Sequence, residues 1–279
     1  MKRPAPAKIN LSLKISGLRP DGFHEIETLM APISLCDEVT VDLSESPGIT
    51  LSCSDSTLPC DASNLGWKAA EAFFETIGRR ESIFIHIEKK IPSGAGLGGG
   101  SSDAATVILL LNDLLKTKLP FEALEKIAAR TGSDTAFFIR GKAAICRGRG
   151  EIIEPYLKNI DLPLLLIKPP FGVETAWAYK KWKEAYSGKI SERQEVSEVI
   201  FENDLERPVL GKHLFLAALK QWLLEQSEVD VALLSGSGSV VYAVISDPAA
   251  GAALSQKVKA EFGDTMWICE TRALSQTTG

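Results

Sequence analysis

Along residues 7 to 15 apolar and polar side chains alternate: Ala7, Ile9, Leu11, Leu13 and Ile15 fall on one side, Lys8, Asn10, Ser12 and Lys14 on the other. That is the period of a β-strand, so Lys8 and Asn10 point the same way. The tetrapeptide RPDG at 19–22 signals a turn, and period-two runs at 39–43, 49–53 and 83–87 predict further strands. The last of these sets His86 among Ile83, Ile85 and Ile87, as a polar-face residue. Helical periodicity predicts amphipathic helices over 64–77 and 121–131, and a helix over 102–115 that is apolar almost all round, as in a domain centre. After CRGRGEIIEP, the segment LPLLLIKPP reads as a buried strand ended by prolines, and the chain is expected to divide near 155–160, into domains of residues 1–157 and 158–279. The second half predicts helices around 174–186, 195–202 and 211–226. Strands 231–234 and 240–245 follow around a loop SGSGS, then a helix over 248–262 and a strand over 265–269. Strands and helices alternate without internal repeats.

Composition narrows the function classes. A chain of 279 residues, 45% hydrophobic, can bury one large core or two domains sharing a cleft. A formal net charge of −5 gives no field for gathering nucleic acid or an anionic membrane, so neither partner is expected and any anion needs a local site. Pro4, Pro6, Lys8 and Asn10 interrupt any apolar run at the amino terminus, and the run Val107–Leu111 is far too short to span a bilayer, so a cytoplasmic protein is expected. Cys36, Cys53, Cys60, Cys146 and Cys269 are odd in number and lack CxxC spacing, which predicts free thiols rather than a disulfide framework or a zinc site. His24, His86 and His213 show no metal-ligand spacing.

The candidate chemistry begins at IPSGAGLGGGSSDAAT, where five glycines fall within residues 94–100 and run straight into the apolar helix. Successive residues without Cβ let backbone N–H groups converge on an anion, and the helix start adds its positive dipole end. Phosphate is the natural occupant. The Walker A pattern fails, because Gly100 is followed by Ser101 and Ser102 with no lysine. GAGLGG at 94–99 satisfies GxGxxG and keeps a dinucleotide-binding oxidoreductase as an alternative. Residues 113–131, however, read as another helix where a second parallel strand ending in an acidic residue is required.

The stretch 92–105, PSGAGLGGGSSDAA, resembles the central phosphate loop of the GHMP kinases, the superfamily of galactokinase, homoserine kinase and mevalonate kinase. PAKINLSLKI (6–15), RPDGFHEIETLM (19–30), TGSDTAFFIRGKAAICRGRGE (131–151), KPPFGVETAWAY (168–179) and SGSGS (235–239) are similar to the branch acting on cytidine diphosphate methylerythritol in the non-mevalonate isoprenoid route. The resemblance spans nearly the whole chain. It implies a two-domain α+β fold: an N-terminal domain like ribosomal protein S5 domain 2, a C-terminal ferredoxin-like α/β sandwich, and the active site in the cleft between them. It also implies transfer of the γ-phosphoryl of ATP to the 2-hydroxyl of the cytidine diphosphate methylerythritol, with Mg2+ expected and a monomer or homodimer as the unit.

Carried onto this chain, the resemblance makes Asp134 the catalytic aspartate that accepts the hydroxyl proton, with Lys8 holding that hydroxyl. It assigns Pro92, Ser93, Gly94, Ala95, Gly96, Leu97, Gly98, Gly99, Gly100, Ser101 and Ser102 to the ATP phosphates, and Asn64 and Leu65 to the adenine side. Asn10 would contact substrate, Phe23 and Tyr179 would sandwich the cytosine ring, and His24 would read its edge. Thr175 would lie near the diphosphate or erythritol, and Gly236, Ser237 and Gly238 would let the second domain's backbone approach the substrate. Phe23 stands where the family usually carries tyrosine, and Ser133-Asp134-Thr135-Ala136 replaces the usual Ala-Asp-Val-Pro. The runner-up within the superfamily is phosphorylation of homoserine or mevalonate. A non-enzymatic RNA-binding or sensor protein of related fold ranks below both, because Lys8 and Asp134 are present together.

Overall fold

Two long strands, β1 (Lys2–Leu18) and β2 (His24–Leu43), form an antiparallel ribbon through the middle of the protein, joined by the predicted turn at 19–22. The computed structural model describes residues 1–185 and 193–276. Strand β1 is much longer than the alternation over 7–15 implies, and its register with β2 shifts between Pro6 and Lys8 and again between Asn10 and Ser12. Such bulges re-aim side chains, and these two bracket Lys8 and Asn10. Both residues do share one side of the strand, but that side is buried, not solvated: each is 4% exposed.

Strand β3 (Ile49–Cys53) runs parallel to β4 (Ile83–Glu88), which pairs antiparallel with the distal half of β2. His86 is half-buried between the buried isoleucines, and its Nδ1 lies 2.7 Å from Ser52 Oγ. Helices α1 (Leu65–Ile77), α2 (Gly99–Leu114), α3 (Phe121–Ala129) and the short α4 (Thr135–Arg140) pack on this sheet around one core cluster that includes Phe73, Ile85, Val107 and Phe137. Asn64 caps α1 by accepting from the Gly66 amide, and Gly78 ends the helix in the left-handed conformation. Residues 102 to 108 of α2 are buried without interruption, as the all-round apolar pattern requires. Sequence periodicity missed α4 and the hairpin β5 (Ala144–Gly148) and β6 (Ile152–Pro155), whose first strand pairs with β2.

The C-terminal half forms an antiparallel sheet in the order β10-β11-β7-β12, with β7 (Asp161–Lys168), β10 (Val229–Leu234), β11 (Val241–Ile245) and β12 (Trp267–Leu274). That is the ferredoxin-like order. Helices α5 (Thr175–Ala185), α6 (Glu206–Lys212), α7 (Leu214–Leu224) and α8 (Gly251–Phe262) complete this half, a 3-10 turn at 248–250 leading into α8. Residue 186, the last of the helix expected over 174–186, lies outside the described residues.

Three expectations are corrected here. The helix expected over 195–202 is a hairpin, β8 (Gln194–Val196) and β9 (Val199–Asn203), turned by Ser197 and Glu198 at φ of 52° and 63°. Val199 and Phe201 are buried, and alternation against the core overrides the helical spacing of the charges. The helix expected over 211–226 is broken at His213, whose φ and ψ of −101° and 77° are not helical. The strand expected over 265–269 instead runs to Leu274 and bridges β2 at Ala273 and Ile33, tying the two halves together. A second tie is Tyr242, wholly buried, whose hydroxyl donates to the Asn10 carbonyl at 3.0 Å.

Candidate functional site

A cavity of about 1370 Å3 opens between the two halves, and most residues singled out in the sequence line it. At its centre Lys8 Nζ donates to Asn10 Oδ1 at 2.7 Å and to the Gly96 carbonyl at 3.0 Å, and it lies 3.6 Å from Asp134 Oδ2. The Asn10 amide donates onward to Thr28 Oγ1 at 2.7 Å, and that hydroxyl donates to the Ser12 carbonyl. Every polar atom of this chain is directed, which fixes Lys8 as a buried cation aimed at one carboxylate. Asp134 is 36% exposed on its side chain and precedes α4, yet its side chain makes no capping hydrogen bond. Behind the pair, burial pushes the Cys146 thiol up to about 12, with Asp134's charge adding to the rise and Lys8 opposing it, so the thiol stays protonated and inert.

The glycine loop is built by alternation. Gly94, Gly96 and Gly98 hold φ of 60°, 76° and 72°, while the intervening Ala95 and Leu97 are buried in the core beneath. A Cβ on Gly96 would sit 2.0 Å from the Ser235 carbonyl oxygen, and one on Gly98 would meet Phe138 at 2.9 Å and Lys8 Cε at 3.2 Å. The close neighbours that exclude side chains at these two positions are therefore the protein's own backbone and side chains. Gly99 faces Ile91 and Lys89 in the same way, and Gly100 makes only ordinary contact with Leu65. The loop is secured to β1 through the Lys8 amide on the Leu97 carbonyl. It is secured to the 235–239 segment through Ser239 and Val240 amides on Gly94 and Ala95 carbonyls and through Ser235 Oγ on Gly96 O. Helix α2 starts directly after, with Gly98 as its N-cap offering no side chain, so its first-turn amides are left for a ligand at the cavity wall formed by Gly98, Gly99, Gly100 and Ser101. Pro92, Ser93, Gly94, Ala95, Gly96 and Leu97 line the same wall.

Ser102 and Gly238 do not line the cavity. Ser102 is wholly buried inside α2, its Oγ without a partner among the described residues, and Gly238 turns its missing side chain toward Leu234. Asn64 and Leu65 line the far end with Leu58 and Pro59. Asn64 Oδ1 accepts from the Gly66 amide at 2.8 Å and Nδ2 donates to the Pro59 carbonyl at 2.8 Å, so two hydrogen bonds hold its side chain in place at this end.

Sequence reasoning missed a charged triad under the loop. Lys89 bonds both Asp37 and Asp103, the latter at 2.7 Å, and Asp37 Oδ1 accepts the Lys90 and Ile91 amides that lead into Pro92. Burial, with the like charge of Asp37 added, raises the Asp103 carboxyl to about 7 against the pull of Lys89. The signal in the sequence was two lysines before the glycine run and an aspartate just inside the helix.

At the other end Phe23, 48% exposed, stands on the β1–β2 turn, and His24 packs between Tyr179 (ring centroids 5.3 Å apart, tilted) and Trp182 (5.8 Å, edge-on). Burial lowers the His24 pKa and raises that of Tyr179, so the imidazole is neutral at pH 7 and the phenol protonated. Trp182, one helical turn beyond Tyr179 on α5, was also missed. Thr175 Oγ1 lies 2.8 Å from Ser237 Oγ, joining the start of α5 to the SGSGS segment. Gly236 approaches Asn10 and Lys8, and its carbonyl is held by Asn203 Nδ2 at 2.7 Å.

The arrangement thus offers a cavity wall formed by the glycine loop and the start of α2, a lysine–aspartate pair beside it and an aromatic chamber beyond. The GHMP kinases N terminal domain matches residues 64–142 and the GHMP kinases C terminal family matches residues 173–264. The chain is 45% identical over 271 residues to the 4-diphosphocytidyl-2-C-methyl-D-erythritol kinase of Methylacidiphilum infernorum, across 95% of this chain and 93% of that protein. It is similar to the crystal structure of 4-(cytidine 5'-diphospho)-2C-methyl-D-erythritol kinase at 31% identity and a TM-score of 0.81, over 98% of this chain and 99% of the other. A mevalonate kinase crystal structure, at 13% identity and a TM-score of 0.66 over 99% of this chain and 100% of the other, shares the fold alone.

Proposed function

Because the chain belongs to the 4-diphosphocytidyl-2-C-methyl-D-erythritol kinases, a family of GHMP small-molecule kinases, we propose that it moves the γ-phosphoryl of ATP onto the 2-hydroxyl of 4-diphosphocytidyl-2-C-methyl-D-erythritol. The observation that carries the reading is the buried Lys8, 3.6 Å from Asp134 and bonded to the Gly96 carbonyl, at the junction of the glycine loop and the aromatic chamber. Asp134 accepts the hydroxyl proton, and Lys8 holds the hydroxyl oxygen and stabilises its developing negative charge. The first-turn amides of α2 and the loop 92–101 take the phosphates of ATP, with the adenine toward Asn64 and Leu65. Phe23 and Tyr179 enclose the cytosine, with His24 at its edge and Thr175, Gly236 and Ser237 along the middle of the substrate. Phe23 keeps the stacking face of the usual tyrosine without its hydroxyl.

Magnesium is not fitted by these residues acting alone. Among the described residues no three acidic, histidine or cysteine side chains come together to hold a metal ion, and the cavity carboxylates Asp103 and Asp134 each face a lysine. The ion enters the proposal only as the companion of ATP. We place the domain boundary at 157/158, in the link between β6 and β7, and the reaction in the cytoplasm; among the described residues no helix is long and apolar enough to cross a membrane.

The test is ADP release measured by a coupled assay with the cytidine diphosphate methylerythritol, homoserine and mevalonate in parallel. Turnover with the first alone is the expected result. Preference for either of the others removes the cytidine reading and leaves the superfamily.

A further inference from the structure

Asn203 is wholly buried, lines no part of the cavity and yet is bonded to the wall of it. Its Oδ1 accepts the Leu205 amide at 2.9 Å, while Nδ2 donates to the Leu234 carbonyl at 2.8 Å and to the Gly236 carbonyl at 2.7 Å. The residue is anchored as firmly on the other side. It pairs with Leu13 of β1, and the next residue, Asp204, donates its amide to the Leu13 carbonyl at 2.9 Å and accepts the Ile15 amide on Oδ2 at 2.7 Å. Glu206, also buried, accepts the Leu234 amide at 2.9 Å and the Lys220 ammonium at 2.7 Å. Residues 203–206 therefore join the strand that carries Lys8 and Asn10 to the start of the SGSGS loop.

That joint fixes the orientation of one peptide unit. In a planar trans peptide the carbonyl and the following N–H point in opposite directions, so holding the Gly236 carbonyl on Asn203, away from the cavity, turns the Ser237 amide toward it. Gly236 and Ser237 are the residues of this loop that line the cavity together, and among the described residues their amides donate to no protein acceptor. The amides of Ser235, Gly238, Ser239 and Val240 all do. Ser237 is 5% exposed, and a donor so nearly buried is costly unless a ligand completes it. Its hydroxyl is already taken up at 2.8 Å from Thr175 Oγ1. The place is defined by Gly236, where a Cβ would stand 3.1 Å from Asn10 Oδ1 and 3.7 Å from Lys8 Nζ. An ammonium and a free amide that converge there fit an oxygen bearing negative charge.

We infer that Asn203 is a positioning residue for phosphoryl transfer: by holding the Gly236 carbonyl it aims the Ser237 amide at the oxygen that gathers negative charge beside Lys8, and it keeps a carbonyl oxygen from facing that charge. The inference rests on phosphoryl transfer at the Lys8–Asp134 pair, and the test separates the two. ADP release by the full chain is measured at a temperature where each variant is folded, with kcat and both KM values resolved. Asn203→Ala is expected to lower kcat by about 10-fold or more and to leave both KM values within about twofold, because the interaction strengthens only as charge develops. Leu254→Ala, in the core beneath α8 and away from the cavity, controls for lost stability and should keep its kcat. Ser237→Pro deletes the N–H itself and is compared with Ser237→Ala, which loses the Thr175 contact but keeps the amide. The proline variant should turn over about 10²-fold more slowly than the alanine variant, and adding Asn203→Ala to it should cost little more. Wild-type kcat in folded Asn203→Ala, an equal kcat loss in Leu254→Ala, a loss confined to KM, or equal kcat for the two Ser237 variants each ends the inference. Where Asn203→Ala does not fold, the Ser237 pair decides alone. A wild-type protein that releases no ADP with the cytidine substrate ends the underlying reading instead.

Discussion

Asp134→Asn separates the chemistry of the site from its architecture. The substitution keeps the shape of the side chain and removes the negative charge 3.6 Å from Lys8 Nζ. In the folded ground state the pair is worth about 4 to 5 kcal/mol by Coulomb's law at an effective dielectric of about 20. Asp134 is 36% exposed, however, and water screens it, so the measurable loss of stability should be about 1 kcal/mol or less. Lys8 keeps Asn10 and the Gly96 carbonyl as acceptors, and no helix cap is lost because the Asp134 side chain makes no capping bond. Turnover responds on a different scale. Loss of the proton acceptor should lower kcat by at least about 10²-fold, or roughly 2.7 kcal/mol in the barrier. The assay is ADP release at saturating ATP and substrate, with a thermal melt of the same preparation. Lys8→Met should lose turnover similarly, and the double variant should cost far less than the product of the two, since the residues act on one hydroxyl. Near-normal kcat in a folded Asp134→Asn protein refutes the assignment of Asp134 as the proton acceptor.

The remaining predictions probe the walls. Phe23→Ala or Tyr179→Ala should each raise the KM for the cytidine substrate, by the roughly 1 to 3 kcal/mol of a stacking face, and leave the KM for ATP alone; unchanged substrate KM in both removes them from the base site. Gly96→Ala, whose Cβ would sit 2.0 Å from the Ser235 carbonyl oxygen at φ 76°, should sharply lower the melting temperature, whereas Gly100→Ala should barely move it; equal melts would contradict the backbone-contact account. Asn203→Ala strips bonds from the Leu234 and Gly236 carbonyls and the Leu205 amide, so chemical denaturation should show a loss of about 2 kcal/mol or more. For Asp103, the folded pKa of about 7 lies above the ordinary 3.8, so its stabilising contribution is present below 3.8 and is lost as pH rises toward and through 7. Asp103→Asn should flatten the melting temperature between about pH 4 and 7 relative to wild type, and parallel profiles would refute the shift.

Legibility in the sequence followed how local the deciding forces were. Alternation over 7–15 placed Lys8 and Asn10 together, because the face of a strand depends only on parity, and the two bulges preserved it. Alternation could not say whether that face was wet or dry. The answer depends on the 235–239 segment and on Tyr242, more than 200 residues away, closing over it. The hairpin at 194–203 failed for the same reason. Ser197 and Glu198 carry none of the usual Asn-Gly signal for a two-residue turn, and only burial of Val199 and Phe201 against the core decides the structure. Asp37 on β2, Lys89 just after β4 and Asp103 in α2 are far apart in the chain, and the lysines and aspartate flanking the glycine run do not by themselves point to Asp37 as the third partner of one buried ammonium.

The glycine loop is the instructive case, because the expected position and the expected reason part company there. In the sequence a run of glycines implies backbone laid bare for phosphate, and the loop does line the cavity with α2 beginning behind it. Yet at 96 the missing side chain makes room for the Ser235 carbonyl, and at 98 for Phe138 and the stem of Lys8. The glycines at these positions let the second half of the chain and the buried lysine come within contact of the loop. Both glycine-rich segments, 94–100 and 235–239, are then halves of one joint: Ser235 and Ser239 bond to the loop while Gly236 opens onto Lys8 and Asn10. On this account a side chain at 96 acts first on the seam between the halves, and it harms phosphate binding through the displaced Gly96 carbonyl that holds Lys8. The order of effects is measurable: Gly96→Ala should lose stability without nucleotide present, which a purely phosphate-facing glycine would not.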